Sequence, residues 1–292
     1  MENRVNLNFI GNGNAAKSYG GKLEAWSFNN IQGEAWFLNF KNHVLSCVGK
    51  KYLPIYRMAD GEYRFLMGRK YNFHSKQFLK EFLIVTAEKL KIKNPNKWKT
   101  SWGEEYTPKE TFILRENLLN KIKEIANDGY LACYINDNGL NAFTEHNNYI
   151  LPFFKKNHIN FSSENYIPFH FVVHLLLNDS RHDFYVDKNI LLISGTEKKT
   201  ENQISNNLKG LGVKNVEFIR ISKTSSMKDI IDLSSITNKI DLCLVAAGIG
   251  SANIISQLKP LNTVVLDIGG YINCLIDTSK SQHGGIFTFP NK

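Results

Sequence analysis

Cysteine is scarce in this chain, and long apolar runs are missing altogether. Four cysteines, Cys47, Cys133, Cys243 and Cys274, are spread over 292 residues with no C-x-x-C pair, so the spacing encodes neither a disulfide framework nor a zinc site. Cys133 and Cys243 lie inside apolar runs, where a free thiol packs as a small hydrophobe, and this usage fits a reducing cytoplasm. No stretch approaches the roughly 20 apolar residues of a membrane span. The longest, 167–177, is interrupted by Pro168, His170 and His174, and the polar opening residues predict no signal peptide. Two catalytic signatures are also lacking. His170 and His174 stand i, i+4 without the glutamate of an H-E-x-x-H frame, and Ser194-Gly195 has no G-x-S-x-G flanks. A zinc-protease helix and an esterase elbow are excluded.

What is present describes a folded globular protein. Hydrophobic residues make up 42% and aromatics 12%, too much for a disordered chain, and this length buries enough surface to need no covalent staple. Lys and Arg number 36 against 27 Asp and Glu, a formal charge of +9 that attracts nucleic acid, anionic lipid and phosphorylated small molecules alike. The densest basic stretch, Lys89 to Lys99, alternates lysine with apolar residues and contains no arginine. Arginine forks are the usual readers of bases, so nucleic acid is the least favoured partner. The stretch reads as a solvated helix end, with a peripheral membrane contact as its functional version.

Two segments are distinguished along the chain. Residues 1–50 form an N-terminal extension in which 22–28 and 34–40 read as a β-hairpin around the turn 29–33. Residues 51–292 read as α/β. Strands are expected at 52–58, 130–135, 190–193, 216–219, 242–246 and 263–267, and helices at 62–69, 76–91, 108–127, 138–157, 169–177, 200–211 and 251–258. Continuous apolar strands alternating with helices predict a Rossmann-like, mostly parallel sheet covered on both faces. Ligands of such sheets bind at the carboxyl ends of the strands.

Two strand-end turns have the composition of a site. In Arg57-Met58-Ala59-Asp60-Gly61-Glu62 a strand ends in two carboxylates one glycine apart. Gly61 permits a sharp bend, and Asp60 and Glu62 on one side of it suit a divalent cation carrying phosphate oxygens, with Arg57 pairing to carboxylate or diphosphate. The same residues also read as an ordinary Asp-Gly turn with Glu62 serving a helix N-terminus. In Ala246-Ala247-Gly248-Ile249-Gly250-Ser251-Ala252-Asn253 a buried strand turns into a helix whose first amides favour an anion. Gly248 and Gly250, with Asp267 a strand later, begin a dinucleotide fingerprint, but its third position is Asn253. Glu104, Glu105, Asp137 and Glu145 remain open as general bases.

Together the turns resemble a known family. Arg57 to Glu62 is similar to the R-x-G-D-G-E signature of bacterial glycosyltransferases of the GT-D fold, and Val245 to Gly248 with Val264 to Gly269 is similar to their C-terminal glycine turn and D-I-G-H segment. Ala59 stands where the family often has glycine, and Gly270 where it often has histidine. The resemblance covers 52–277. It implies a cytoplasmic, metal-dependent enzyme, at the inner face of the membrane, that moves a sugar from a nucleotide diphosphate donor, a UDP-sugar, to a lipid-linked or protein-linked glycan acceptor. Asp60 and Glu62 would be its catalytic and Mn²⁺ or Mg²⁺ residues, and Arg57, Gly61, Gly248, Gly250, Ser251 and Asp267 its donor-binding residues. The competing readings are a dinucleotide enzyme using the Gly248–Gly250 turn and a non-catalytic module for glycan or phosphate.

Overall fold

The computed structural model describes residues 3–10, 20–71, 78–92, 94, 97–99, 105–135, 145–179, 181–277, 279–280 and 286–290. Its strands are β1 (Arg4–Phe9), β2 (Lys22–Trp26), β3 (Leu53–Met58), β4 (Trp98–Lys99), β5 (Glu105–Tyr106), β6 (Tyr130–Cys133), β7 (Tyr166–Pro168), β8 (Asn189–Ser194), β9 (Asn215–Arg220), β10 (Leu242–Ala246), β11 (Val264–Asp267) and β12 (Phe287–Thr288). Seven of them form one sheet in the order β7-β6-β3-β11-β10-β8-β9, and every pairing in it is parallel.

The two-residue period of a strand sorts its side chains into two apolar layers. Ile190 and Leu192 of β8, Leu242 and Leu244 of β10, and Val264 and Leu266 of β11 join one core. Leu191, Ile193, Cys243, Val245 and Val265 join the other. Helices Gly33–Cys47, Phe169–Leu177 and Lys198–Gly210 cover the first layer, and Asp60–Met67, Pro108–Asp128, Asn147–Lys156 and Ser251–Gln257 the second. Helix Pro108–Asp128 starts where its sequence dictates. Thr107 accepts the amide of Glu110 while the Glu110 carboxylate returns to the amide of Thr107, with Pro108 at the first helical position. All four cysteines are buried and free. Among the described residues no helix is long and apolar enough to cross a membrane.

The N-terminal segment corrects one expectation. A hairpin exists, but it joins β1 to β2, and β12 extends it to three antiparallel strands. Residues 34–40, expected as a strand, lie in helix Gly33–Cys47. Its buried side chains, Phe37, Phe40, Val44 and Cys47, follow the helical 3-4-3 spacing, and this periodicity over two further turns overrides the aromatic β-preference of the short window. Of the expected helix 138–157, Asn147–Lys156 is helical, 145–146 and 157 are turn, and 138–144 lie outside the described residues.

His170 and His174 are core residues of helix Phe169–Leu177. The His174 ring stacks on Phe287 at 3.8 Å, and its Nδ1 accepts the Phe287 amide at 3.5 Å, which ties β12 to the helix. Burial lowers the pKa of His174 to about 4 and that of His170 to about 3, the latter aided by Arg57. A group depressed in the folded state contributes stability above its unfolded value, and that contribution is lost as the pH falls through the folded value. Replacing His174 with glutamine is therefore expected to flatten the decline of urea-unfolding free energy from pH 7 to pH 4 by about 3 kcal/mol relative to wild type. The comparison with wild type isolates this residue from the buried carboxylates described next, which titrate in the opposite sense.

Candidate functional site

β3, β11 and β10 lie side by side, so the turns that follow them, 59–62, 268–271 and 247–250, meet at one edge of the sheet. The two motifs read from the sequence thus line one cavity of roughly 330 Å³, which includes Arg57, Asp60, Gly61, Glu62, Gly248 and Asp267. The expected sharp bend at Gly61 is not made, because the helix already starts at Asp60 and Gly61 lies within its first turn without a positive φ; a Cβ there meets nothing within 4 Å, so this side of the helix start is open to a ligand.

The charged groups are tightly arranged. The Arg57 amide donates to Asp267 Oδ2 at 3.3 Å, its Nη1 donates to the carbonyl of Ile268 at 2.8 Å, and its guanidinium lies 3.9 Å over the Phe169 ring. Its Nε is buried without a hydrogen-bond partner among the described residues. Glu62 is only 6% and Asp267 only 4% exposed. Burial pushes Glu62 up to about 7, reinforced by the neighbouring Asp267 charge and opposed by backbone donors. Burial likewise pushes Asp267 up to about 6, against the pull of Arg57. Two buried carboxylates thus lie near one arginine, whose guanidinium bonds the Ile268 carbonyl and whose amide bonds Asp267.

Asp60 and Glu62 differ in role. Glu62 Oε2 turns back to accept the Ala59 amide at 2.9 Å and caps its own helix, as the ordinary-turn reading expects. Asp60 is the more exposed carboxylate, with Oδ2 paired to Arg64 at 3.1 Å. Arg64 is itself anchored on Glu145 at 2.8 Å. Among the described residues no group of three or more His, Cys, Asp and Glu side chains is arranged to hold a metal. A resident ion does not fit this donor set. An ion arriving with a diphosphate does, because Mg²⁺ or Mn²⁺ takes one or two protein carboxylates and completes its shell with phosphate oxygens and water. Asp60, lining the cavity, would be the carboxylate to hold such an ion, with Glu62, which also lines it, as the second.

Ser251 and Gly250 stand behind the cavity wall. The fully buried Ser251 hydroxyl donates to Asp267 Oδ1 at 3.1 Å and so positions that carboxylate. Gly250 packs against the loop after β9: a Cβ there would collide with Ser226 Oγ and lie 2.6 Å from the Ser226 carbonyl carbon. Asn253 donates to the carbonyls of Ser226 and Asp229 at 3.1 and 2.9 Å. The glycine and asparagine of the dinucleotide fingerprint thus serve loop packing. The helix they open has seven residues, and its first ones are buried, which leaves no open ring of amides for an anion. Gly248, at φ +54°, makes the turn itself and lines the cavity.

Of the general-base candidates, Glu104 and Asp137 lie outside the described residues. Glu105 pairs with Lys97 and Lys99, and Glu145 accepts from Arg64 and from the Lys70 amide, so both have structural partners.

The strand-end rule points to the turn after Ile219, at the end of β9, but the sequence singles out none of that loop's residues. The loop carries Lys223, Thr224 and Ser226 to the cavity, which Trp98 of β4 and Tyr106 of β5 also line, and the Tyr106 hydroxyl donates to the Thr224 carbonyl at 3.4 Å. No periodicity marks this loop; the signal available was its position after a strand of the sheet. Lys223, Ala247, Gly248, Gly269 and Gly270 also border a second cavity of roughly 460 Å³ beyond the ends of β8 and β10. There the chain leaves β8 toward β9 and leaves β10 toward β11, a reversal of direction that opens a crevice.

No protein-family model and no curated protein matches the chain. Among solved structures it is similar to one described as "The highly conserved domain of unknown function 1792 has a distinct glycosyltransferase fold", with 14% identity, a TM-score of 0.46, and coverage of 88% of this chain and 89% of that one. It is similar to the selenomethionine-substituted structure of domain of unknown function 1792 at 12% identity, with the same TM-score and coverage.

Proposed function

We propose that the protein is a glycosyltransferase that uses a nucleotide diphosphate sugar, a UDP-sugar by the resemblance of its motifs. The observation that carries this reading is the convergence of Arg57, Asp60, Glu62, Asp267 and the Gly248 turn in one cavity that opens into a second. The smaller cavity offers two cations, Arg57 and Lys223, to a diphosphate, and a carboxylate, Asp60, to the ion that accompanies it. The larger one has, beside the Glu197–Lys223 ion pair at 3.3 Å, neutral polar groups, Ser194, Thr196, Thr200 and Asn273, between Ile221, Ile272 and Ile276, a lining suited to a base and ribose. Of the aromatic residues lining the smaller cavity, Trp98 is the partly exposed one against which a sugar packs, since Phe169 is covered by Arg57 and Tyr134 and Tyr106 is buried.

In the reaction, the bond from the anomeric carbon to the diphosphate oxygen breaks as the acceptor hydroxyl oxygen bonds to that carbon, and the hydroxyl proton is released. Negative charge grows on the departing diphosphate, where the fixed charges of Arg57 and Lys223 stabilise it. A bound Mn²⁺ or Mg²⁺ would add Lewis-acid stabilisation of the same oxygens. Asp267 and Ser251 hold Arg57 and the 268–271 turn in register. The acceptor is a glycan.

Donor binding is measurable without knowing the acceptor. A UDP-sugar with Mn²⁺ at about 100 times its Kd is expected to add about 2.7 kcal/mol and to raise the melting temperature by roughly 5 °C or more, because it binds the folded state alone. No shift with any nucleotide sugar across a panel, with or without the metal, would refute the assignment.

A further inference from the structure

Helix Phe78–Lys89 turns an aliphatic stripe toward solvent. Leu79, Leu83 and Leu90 fall on one helical face, the backbone bond from Leu90 to Thr86 carrying the turn past the helix end. With Ile92 just beyond, these residues are between 64% and 78% exposed. The opposite face is held to the protein. Val85 is buried and Glu88 pairs with Arg69 at 3.8 Å, while Tyr71 covers the edge of the stripe, its hydroxyl 3.3 Å from Thr86 and its ring 4.0 Å beneath the Lys89 ammonium. Lys80 and Lys89 flank the stripe on its two sides, and Lys91 follows it.

An apolar stripe bordered by lysines is the layout of a helix that lies in the plane of a bilayer interface: the aliphatic side chains enter the acyl boundary while the ammonium groups meet lipid phosphates. A second copy of the chain would bring the same lysines against each other, a like-charge contact that opposes self-association through this face. The surface with complementary charge is an anionic membrane. We propose that residues 79–92 dock the protein on an anionic phospholipid bilayer.

Docking there sets the orientation of the cleft. The segment is tied through Arg69 and Tyr71 to the end of helix Asp60–Met67, which carries Asp60 and Glu62. On its other side Trp98 packs on Phe65 at 5.2 Å and lines the smaller cavity. A bilayer bound there would thus hold the cleft in a fixed orientation to the lipid surface, from which an acceptor carried on a lipid would arrive.

The test is flotation of the full chain with vesicles of phosphatidylcholine alone or mixed with phosphatidylglycerol. Binding is expected to the mixed vesicles only and to weaken with added salt. Leu83→Ser combined with Ile92→Ser should lower binding at least tenfold, and Lys89→Glu roughly fivefold, with unchanged circular dichroism. None of these residues lines either cavity, so the donor-induced melting shift stays at its wild-type size and the two proposals fail separately. Equal binding to neutral vesicles, or no vesicle binding, would overturn the docking. So would sedimentation showing a dimer that the Leu83→Ser, Ile92→Ser variant dissociates.

Discussion

Asp60→Asn is expected to lower sugar transfer roughly 10²- to 10³-fold and to abolish the metal-dependent part of the donor-induced melting shift, as loss of a fixed charge at a reacting centre does. The folded state barely changes. Asp60 makes one described ion pair, an i, i+4 contact with Arg64, and such pairs contribute about 0.3–0.5 kcal/mol. Arg64 keeps its bonds to Glu145 in the variant. The melting temperature without donor should therefore stay within about 2 °C of wild type. The measurement pairs product detection by mass with a thermal scan in the presence and absence of Mn²⁺. Wild-type turnover by Asp60→Asn would remove this carboxylate from the mechanism.

Gly250→Val is expected to damage the fold itself. The new side chain must displace the backbone of Ser226, a segment held by Asn253, by Gln257 and by the Ser226 hydroxyl bond to the Ala247 carbonyl at 2.9 Å. Overpacking against backbone costs about 3 kcal/mol, a large fraction of the roughly 5–15 kcal/mol by which a domain is stable. Urea unfolding should show the loss with no ligand present. This result separates the packing role of Gly250 from a dinucleotide site, since a glycine that serves only a cofactor would leave the apo protein unchanged.

Much of the architecture was legible because its signals are local. The strands at 190–193, 242–246 and 263–267 are apolar runs bounded by turns, and helix Pro108–Asp128 carries its own capping box and proline. Helix Gly33–Cys47 was misread because Trp36, Phe37 and Phe40 have strand-like composition in a seven-residue window, while the helical spacing emerges only by Val44 and Cys47. β7, three residues long, is too short to show any period.

The candidate site was legible at two of its walls. Arg57 to Glu62 and Gly248 are motif residues at strand ends, and the parallel sheet brings them together. The division of labour between Asp60 and Glu62 was not legible, because which carboxylate caps the helix depends on side-chain direction. The same holds for Ser251 and Gly250, whose composition suits a phosphate turn while their contacts run inward. Lys223 and Ser226 come from a loop with no pattern, and only the fold reveals that it closes the cleft.

The pairing of β3 with β11 has a further consequence for how the protein comes into being. The bond from the Arg57 amide to Asp267 closes a loop of 210 residues, and β11 enters the sheet between β3 and β10. Until β11 pairs, β3 has one open edge and the Arg57 amide lacks its Asp267 acceptor. Pairings so distant in the chain slow folding, and the exposed edge invites association with other chains in the meantime. The cleft is therefore complete only once this distant pairing has formed, and under the proposed function recovery of donor binding after dilution from denaturant would time that pairing.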